Sequence, residues 1–365
     1  MTVQDATPPT TAVPATMSAA VFHGAKDIRV ETVPTPTAKP GEAVIRVLRS
    51  GMCGTDASEW VAGPKIFPIA KEHRVTHHLG PMIPGHEFVG EIVAVPEGSA
   101  FGLGDVVASG AGVWCGECDR CREGRTNMCD HYYTLGLSLD GGMAEYVSSP
   151  VKNLTRVPDG LSIDAAGLAQ PLAVGIHAAR RSGAVDGDGV LVIGGGAIAS
   201  FVLAGLKHLV DVRVTVVEFP GPKQERALRL GASAVVSPGD ELAELVLESF
   251  GGAKPDVVIE ASGAPGQLAN ALSLVRDGGR VLAVGLPKVP PAIDVHSLVF
   301  REVTLDSSLA HVCDTDLGAA LDILAEGVLG EELVEQVVGL AELGAQLDRL
   351  VAGQVDGKIL VDPSR

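Results

Sequence analysis

The sequence is poor in aromatic side chains and in basic ones. Aromatic residues make up 4% of the 365 residues, whereas hydrophobic residues make up 46%. A core of this composition is built from Ala, Val, Leu and Ile, which is typical of parallel sheets covered by helices. With 28 Lys and Arg against 45 Asp and Glu, the formal net charge is -17. Because nucleic-acid binding depends on basic side chains that neutralise phosphates, we expect no nucleic-acid partner.

Long apolar runs and a secretory leader are also missing. No stretch approaches the roughly 18 uninterrupted apolar residues that cross a bilayer. The N-terminal segment MTVQDATPPTTAVPAT has neither a basic region nor an apolar one. We therefore expect a cytoplasmic protein with no membrane partner. The Thr/Pro/Ala composition predicts a disordered lead over residues 1–17.

Cysteine is scarce but clustered, since four of the six cysteines lie between residues 115 and 129. Cys115, Cys118, Cys121 and Cys129 have the spacing C-x2-C-x2-C-x7-C, which lets one loop wrap a tetrahedral zinc ion with thiolates at about 2.3 Å. Four protein ligands leave no position for a substrate, so this zinc would be structural. An iron-sulfur cluster and a pair of disulfides are the alternatives. A second cluster motif, a Cys-Pro terminus and an export signal, which would favour them, are absent.

The chain is long enough for two domains, and the pattern of apolar segments along it changes near residue 167. Residues 18–166 contain short apolar runs broken by Gly and Pro, which predicts a β-rich domain. Residues 167–304 alternate strand, glycine turn and helix, which predicts a doubly wound parallel sheet. Residues 305–365 end in a short strand that has no place in that pattern, so we expect this tail to return to the first domain. The predicted fold class is therefore α/β.

The glycines after the strand VLVI predict a dinucleotide site. Gly194, Gly196 and Ala199 form G-x-G-x-x-A at the start of a helical run, and Glu218 ends the next strand. The glycines let the backbone approach a pyrophosphate at the helix N-terminus, and the acid accepts hydrogen bonds from the adenine ribose. A carboxylate here repels the 2'-phosphate of NADP, so the pattern favours NAD. The alternative is a glycine-rich turn that binds no ligand.

Two cysteines lie outside the cluster, and one of them is a candidate metal ligand. Cys53 lies in GMCGTD, and His86 and Glu87 follow in PGHE. Cys, His and a carboxylate from separate segments can form an open catalytic zinc site. Each residue also has a plainer interpretation, because a lone Cys is more often buried packing and a His-Glu pair is more often a surface or core contact.

A family resemblance joins these motifs. The segments GMCGTD, PGHEFVGEIV, WCGECDRCREGRTNMC, GGMAEYV and QPLAVGIHA, followed by GGGAIA, resemble the zinc-containing medium-chain dehydrogenase/reductase superfamily. The similarity runs from about Met17 to the C-terminus and is closest to the butanediol, sorbitol and threonine dehydrogenase branch. It implies a β-rich GroES-like catalytic domain, formed by both chain ends, with a Rossmann-type domain inserted. The implied activity is NAD-linked hydride transfer from a small secondary alcohol, diol or polyol, or to the corresponding ketone.

The resemblance also implies roles for individual residues. Cys53 and His86 would be catalytic zinc ligands, with Glu87 as a ligand or close neighbour of the metal. Asp56 would hold the His86 imidazole, and Thr55 would hydrogen-bond the substrate oxygen and begin proton removal. The implied coenzyme contacts are Gly194, Gly195, Gly196, Ala197, Ile198, Ala199, Glu218, Ala261 and Gly285. Each chain would thus hold NAD and two zinc ions, and assemble as a homo-oligomer, either a dimer or a tetramer.

Two residues depart from the family pattern. Gln170 stands where this branch usually has Glu before Pro-Leu, so it would be a weaker, neutral zinc ligand. Some sugar dehydrogenases of the superfamily are similar here, which makes a sugar dehydrogenase the first alternative. Ser58 stands where many members have a relay histidine, so proton exit would need another route. An inactive scaffold that binds zinc and NAD is the alternative of a different class.

Overall fold

The computed structural model describes residues 13–365. Its strands are β1 Thr16–Gly24, β2 Asp27–Pro34, β3 Glu42–Gly51, β4 Phe88–Ala94, β5 Val106–Ser109, β6 Gly112–Val113, β7 Tyr133–Thr134, β8 Tyr146–Pro150, β9 Leu154–Arg156, β10 Gly189–Ile193, β11 Arg213–Val217, β12 Ala234–Val236, β13 Val257–Glu260, β14 Arg280–Ala283, β15 Thr304–Ser307, β16 Val334–Val338 and β17 Lys358–Val361. Its helices are α1 Gly54–Ala62, α2 Asp119–Arg122, α3 Ile163–Ala166, α4 Ala169–Ser182, α5 Ala197–Leu209, α6 Pro222–Arg229, α7 Leu242–Ser249, α8 Gln267–Leu274, α9 Val295–Phe300, α10 Cys313–Glu326, α11 Leu329–Leu333 and α12 Leu343–Val351. None of these helices is long and apolar enough to cross a membrane.

Six parallel strands form the sheet of the Rossmann-type part, in the order β12-β11-β10-β13-β14-β15. Alternate residues of β10 face two different cores. Val190 and Val192 pack with α5, whereas Leu191 and Ile193 pack with α7 and α8. Helices therefore cover both faces, and the prediction of a doubly wound parallel sheet is confirmed. The strand order reverses between β10 and β13, and ligands bind at the carboxyl ends of strands beside such a reversal.

A second sheet forms the β-rich part, in the order β16-β17-β3-β4-β5-β9, with β8 paired to β3. Strands β3, β4 and β5 are antiparallel neighbours. The C-terminal strand β17 also pairs antiparallel with β3, with Leu360 opposite Gly51. The C-terminal strands β16 and β17 thus join the sheet of the β-rich part, directly beside the segment that leads into Cys53.

Two element limits differ from the sequence expectation. Strand β1 begins at Thr16, inside the predicted lead, and Met17 is buried. The rest of that lead, residues 1–12, lies outside the described residues. Strand β15 continues the parallel sheet to Ser307, past the predicted limit at residue 304. Both strands are defined by backbone pairing rather than by an apolar period, so a hydrophobicity pattern does not reveal their ends.

Candidate active site and metal centres

Cys53 lies at the junction between β3 and α1. Its backbone N–H donates to Asp56 Oδ2 at 2.9 Å, which caps the first turn of the helix. In the same turn, Thr55 Oγ1 lies 3.8 Å from Cys53 Sγ. The turn therefore presents a thiol and a hydroxyl side by side, with the Asp56 side chain buried next to them.

His86 and Glu87 directly precede β4, and sheet pairing brings them to Cys53. Ser50 of β3 lies opposite Phe88 of β4, and the Gly51 N–H donates to the Glu87 carbonyl at 2.6 Å. As a result, one ligand atom from each of Cys53, His86 and Glu87 lies within 4.8 Å of the other two. A single metal ion can contact all three.

The electrostatics of this group fit a cation. Asp56 Oδ1 lies 3.8 Å from His86 Nδ1, and neither atom has a hydrogen-bond partner among residues 13–365. Burial raises the pKa of the Asp56 carboxyl. Burial alone would lower the pKa of His86, but the neighbouring Cys53 and Asp56 outweigh it and raise that pKa to about 9. The group favours an added positive charge, and a Cys, His and carboxylate set suits zinc.

The two departures from the family pattern lie on different helices. Gln170 is buried in the first turn of α4, 8% exposed. Ser58 lies exposed on α1, where its hydroxyl accepts a hydrogen bond from Lys65 Nζ at 2.9 Å. The assignment of Gln170 to the metal and the proton route past Ser58 stay predictions, as do the roles given to the other residues of the site.

Lys358 was not found by the sequence analysis. Its side chain is 9% exposed, and its Nζ lies 2.8 Å from Oε1 and 2.5 Å from Oε2 of Glu87. The same ammonium donates to the Met52 carbonyl at 2.6 Å. It therefore joins the segment before Cys53 to the residue after His86. The only signal in the sequence was the position of this lysine at the start of the apolar strand KILV. A lysine buried there would need an acidic partner, because buried lysines are almost always paired.

The glycine turn after β10 has the form expected of a dinucleotide loop. Gly194 has φ of 106°, a left-handed conformation that favours glycine, and Gly196 precedes the first turn of α5. The Gly195 N–H donates to Glu218 Oε2 at 2.7 Å, and a Cβ at Gly195 would lie 2.8 Å from Glu218 Cγ. Close packing against Glu218 thus requires glycine at 195.

The remaining coenzyme candidates lie at the same edge of the parallel sheet. Ala199 is buried in α5, so it packs the helix against the sheet rather than facing the turn. Ala261 follows β13 and Gly285 follows shortly after β14. A Cβ at Gly285 would lie 2.1 Å from the Gly263 backbone nitrogen, so the two loops touch there.

A cavity of about 230 Å³ connects the two groups of residues. From the β-rich part, its lining includes Cys53, Glu87 and Lys358. From the Rossmann-type part, it includes Gly196–Ile198 and Ala261. Two of the predicted metal ligands, Cys53 and Glu87, therefore face the same cleft as the predicted coenzyme turn. A larger cavity elsewhere, near Asp159 and Glu331, contains none of these residues.

The four clustered cysteines also converge. The Cys118 Sγ lies 3.5 Å from the Sγ of Cys121 and 3.8 Å from that of Cys129. The Cys115 Sγ lies 3.5 Å from the Sγ of Cys129 and 4.0 Å from that of Cys121. Four sulfurs at about 2.3 Å from one ion lie roughly 3.8 Å apart, so the lobe fits a tetrahedral zinc. None of the six cysteines forms a disulfide, and the sulfurs of the lobe lie at least 3.5 Å apart, which favours a shared metal ion over a pair of disulfides. Backbone N–H groups of Glu117 and Cys118 lower the pKa of the Cys115 thiol to about 6, whereas burial raises the pKa of the Cys121 and Cys129 thiols. A bound cation would hold all four as thiolates.

Known proteins share this architecture. Sorbitol dehydrogenase of Bacillus subtilis is 30% identical, covering 97% of this chain and 99% of that protein. The crystal structure of 2R,3R-butanediol dehydrogenase from Bacillus subtilis superposes with a TM-score of 0.86 at 31% identity, covering 95% of this chain and 99% of that one. An alcohol dehydrogenase from E. coli CFT073, complexed with NADH, has a TM-score of 0.84 at 25% identity, covering 96% and 100%.

Two family models match separate parts of the sequence. Residues 39–159 match the alcohol dehydrogenase GroES-like domain. Residues 197–326 match the zinc-binding dehydrogenase domain. With both sheets and the cleft in place, the prediction of the superfamily is confirmed. The chain belongs to the zinc-containing medium-chain dehydrogenase/reductase superfamily and is an oxidoreductase of the zinc-type alcohol dehydrogenase kind.

Proposed function

We propose that the chain transfers hydride between NAD and a secondary alcohol, diol or polyol, or the corresponding ketone. One observation carries the proposal: Cys53 and Glu87 share a cavity with the glycine turn Gly196–Ile198. Hydride transfer requires the reacting carbon to be held against the nicotinamide, so the metal ligands and the coenzyme turn must face each other. This cleft meets that requirement.

The residues of the cleft divide the work between them. Zinc held by Cys53 and His86, with Glu87 or Gln170, would supply a Lewis acid for the alcohol oxygen. Thr55 lies in the same turn as Cys53, and its hydroxyl would relay the alcohol proton by passing its own proton on to a coenzyme ribose hydroxyl or to water. Asp56 would fix the orientation of the His86 imidazole through its Nδ1 atom. Asp56, His86, Glu87 and Gln170 are buried, which limits the access of water to the metal side of the cleft.

Glu218 supports NAD rather than NADP as the coenzyme. The carboxylate stands at the end of β11, beside the turn that would hold the pyrophosphate. A 2'-phosphate there would meet a negative charge in a partly desolvated site, where repulsion is stronger than in water. Similar structures hold either coenzyme, NADH in the E. coli protein and NADP in a zinc-binding dehydrogenase from Sinorhizobium meliloti, so the choice of NAD rests on Glu218.

The second zinc would hold the four-cysteine lobe together. A small loop without its own core gains most of its folding free energy from the ion, so this zinc would be structural. We therefore propose two zinc ions per chain with different duties.

The polyol class is supported by the sorbitol and butanediol dehydrogenases among the relatives. Gln170 favours a second candidate, a sugar dehydrogenase, because a neutral amide leaves one negative charge less at the metal. The two candidates differ in substrate and not in mechanism.

The proposed assembly is a homo-oligomer, and its contact surface is the outer edge of β15. This strand ends the parallel sheet, and its outer edge pairs with no other strand in the described part of the chain. The preceding helix α9 exposes apolar side chains, with Phe300 77% exposed and Val295 and Val299 62% each. An exposed strand edge beside an apolar patch favours pairing with a second copy. Light scattering distinguishes a dimer or tetramer from a monomer.

A spectrophotometric screen tests the proposed activity. Diols, polyols, aldoses and cyclic secondary alcohols are each supplied with NAD and with NADP, and reduction is followed at the nicotinamide absorbance. We expect turnover with NAD on at least one diol or polyol. Turnover on aldoses alone would favour the sugar dehydrogenase, and binding of zinc and NADH without any turnover would favour the inactive scaffold.

A further inference from the structure

Arg226 is the buried member of a row of basic residues on α6. Lys223, Arg226 and Arg229 follow each other at three-residue spacing, so they lie along one side of the helix. The outer two pair with the C-terminal tail, Lys223 with Asp356 at 3.4 Å and Arg229 with Glu332 at 2.6 Å. Arg226 is 5% exposed and turns instead toward the parallel sheet.

The guanidinium of Arg226 contacts the middle of the glycine turn. Its Nη2 donates to the Gly195 carbonyl at 2.9 Å. The N–H of the same glycine is held by Glu218 Oε2 at 2.7 Å. Both backbone polar groups of Gly195 are therefore fixed, one by a cation and one by an anion. The two peptide planes that meet at this residue are held by side chains from α6 and from the end of β11.

We infer that Arg226 is a positioning residue for the coenzyme pyrophosphate. The peptide bond between Gly195 and Gly196 is trans, so its C=O and N–H point in opposite directions. Because Arg226 holds the Gly195 carbonyl on the side of α6, the Gly196 N–H points to the opposite side. Gly196 lines the cleft together with Ala197 and Ile198, whereas no residue of α6 does. Arg226 thus aims a backbone donor at the place where a phosphate meets the N-terminus of α5.

The charge of Arg226 adds to the same effect. Its Nε has no hydrogen-bond partner among the described residues, although the side chain is buried. The carboxylates of Asp356, Glu332 and Glu218 offset part of the guanidinium charge, and the remainder stabilises negative charge at the turn because burial weakens screening. Arg229, on the same helix, is half-exposed and satisfied by Glu332, so it contributes nothing of this kind.

The inference rests on the proposed NAD site, and three ligands test it in wild type, R226M, R226K and R229M. NADH affinity is measured by fluorescence titration, and ADP-ribose and adenosine are measured by competition with NADH. Only the first two contain a pyrophosphate. For R226M we expect NADH and ADP-ribose to bind about tenfold more weakly or worse, the usual effect of losing a charged hydrogen bond. Adenosine affinity should stay within about twofold of wild type.

The other two variants complete the design. R226K keeps the charge but loses the planar fork, so its loss should be smaller than that of R226M. R229M removes a basic side chain from the same helix and should bind all three ligands like wild type. Equal weakening of all three ligands in R226M, or unchanged NADH binding, would overturn the inference. Failure of the wild type to bind NADH would overturn the proposed coenzyme as well.

Discussion

The ammonium of Lys358 and the carboxylate of Glu87 form a buried ion pair beside the predicted catalytic metal, with Nζ 2.8 Å from Oε1. The side chains are 9% and 2% exposed. Burial opposes the charge on Lys358, but Glu87 and Cys53 outweigh it and raise the pKa of the ammonium. The pair links the last strand of the chain to the metal-binding segments and sets the local charge there.

Removal of Lys358 should destabilise the fold more than removal of both partners. In zinc-free protein, K358M leaves the Glu87 carboxylate buried without a counter-ion, which costs about 3–5 kcal/mol of the free energy of unfolding. The double variant K358M/E87Q removes both charges and should lose clearly less. Urea unfolding of the single and double variants measures the difference. Equal losses would contradict the ion pair as a coupled unit.

A buried histidine should make stability depend on pH. Burial lowers the pKa of His311 from 6.5 to about 4, and neither ring nitrogen has a hydrogen-bond partner in the described chain. Between these values the unfolded chain binds a proton that the folded chain does not. The free energy of unfolding should therefore fall by about 3 kcal/mol as the pH drops from 6.5 toward 4, and then level off.

The variant H311N isolates this contribution. Urea midpoints of wild type and H311N are compared between pH 7 and pH 4.5, with H208N as the control because His208 is exposed on α5. H311N should lose part of the acid sensitivity, and H208N should keep it. Parallel pH profiles for wild type and H311N would show that His311 is not the titrating group.

Loss of a clustered cysteine should remove one zinc and leave the coenzyme site intact. C118S breaks the tetrahedral set, so zinc should fall from two ions per chain to one, with a lowered melting temperature and retained NADH binding. C313S is the matched control, since Cys313 is buried outside the lobe, with its thiol 3.6 Å from the Asn153 carbonyl. Elemental analysis counts the ions. Unchanged zinc in C118S would rule out the lobe as a metal site.

Coenzyme choice should depend on the charge of Glu218. E218S removes the carboxylate that repels a 2'-phosphate, so the ratio of kcat/KM for NADP to that for NAD should rise about tenfold or more. E225S removes an exposed acid from the neighbouring helix α6 and should leave the ratio unchanged. If the wild type prefers NADP, or if both variants shift the ratio alike, the role assigned to Glu218 is wrong.

Local patterns in the sequence predicted the parts of the site that the chain builds within one segment. The cysteine spacing encloses one loop, and the glycine turn with Glu218 follows from a strand, a turn and a strand in order. These features need only short-range geometry. The same reasoning identified the doubly wound sheet, because β10 and the strands after it alternate with helices at regular spacing.

Contacts between distant segments could not be predicted in this way. Cys53 meets His86 because β3 pairs with β4, and that register depends on the whole sheet. Lys358 reaches Glu87 from the far end of the chain, and its charge gave no sign that the side chain would be buried. Arg226 has the same appearance in sequence as Lys223 and Arg229. Only packing shows which of the three turns inward.

The zinc content and turnover of a Cys53→Ala variant test the central claim most directly. The account predicts two zinc ions per chain and NAD-linked turnover in the wild type. In the variant it predicts one zinc, no turnover and unchanged NADH binding, because only the ion in the cleft does chemistry. A variant that keeps both zinc ions, or that still oxidises the substrate, would contradict the assignment of Cys53 to a catalytic metal.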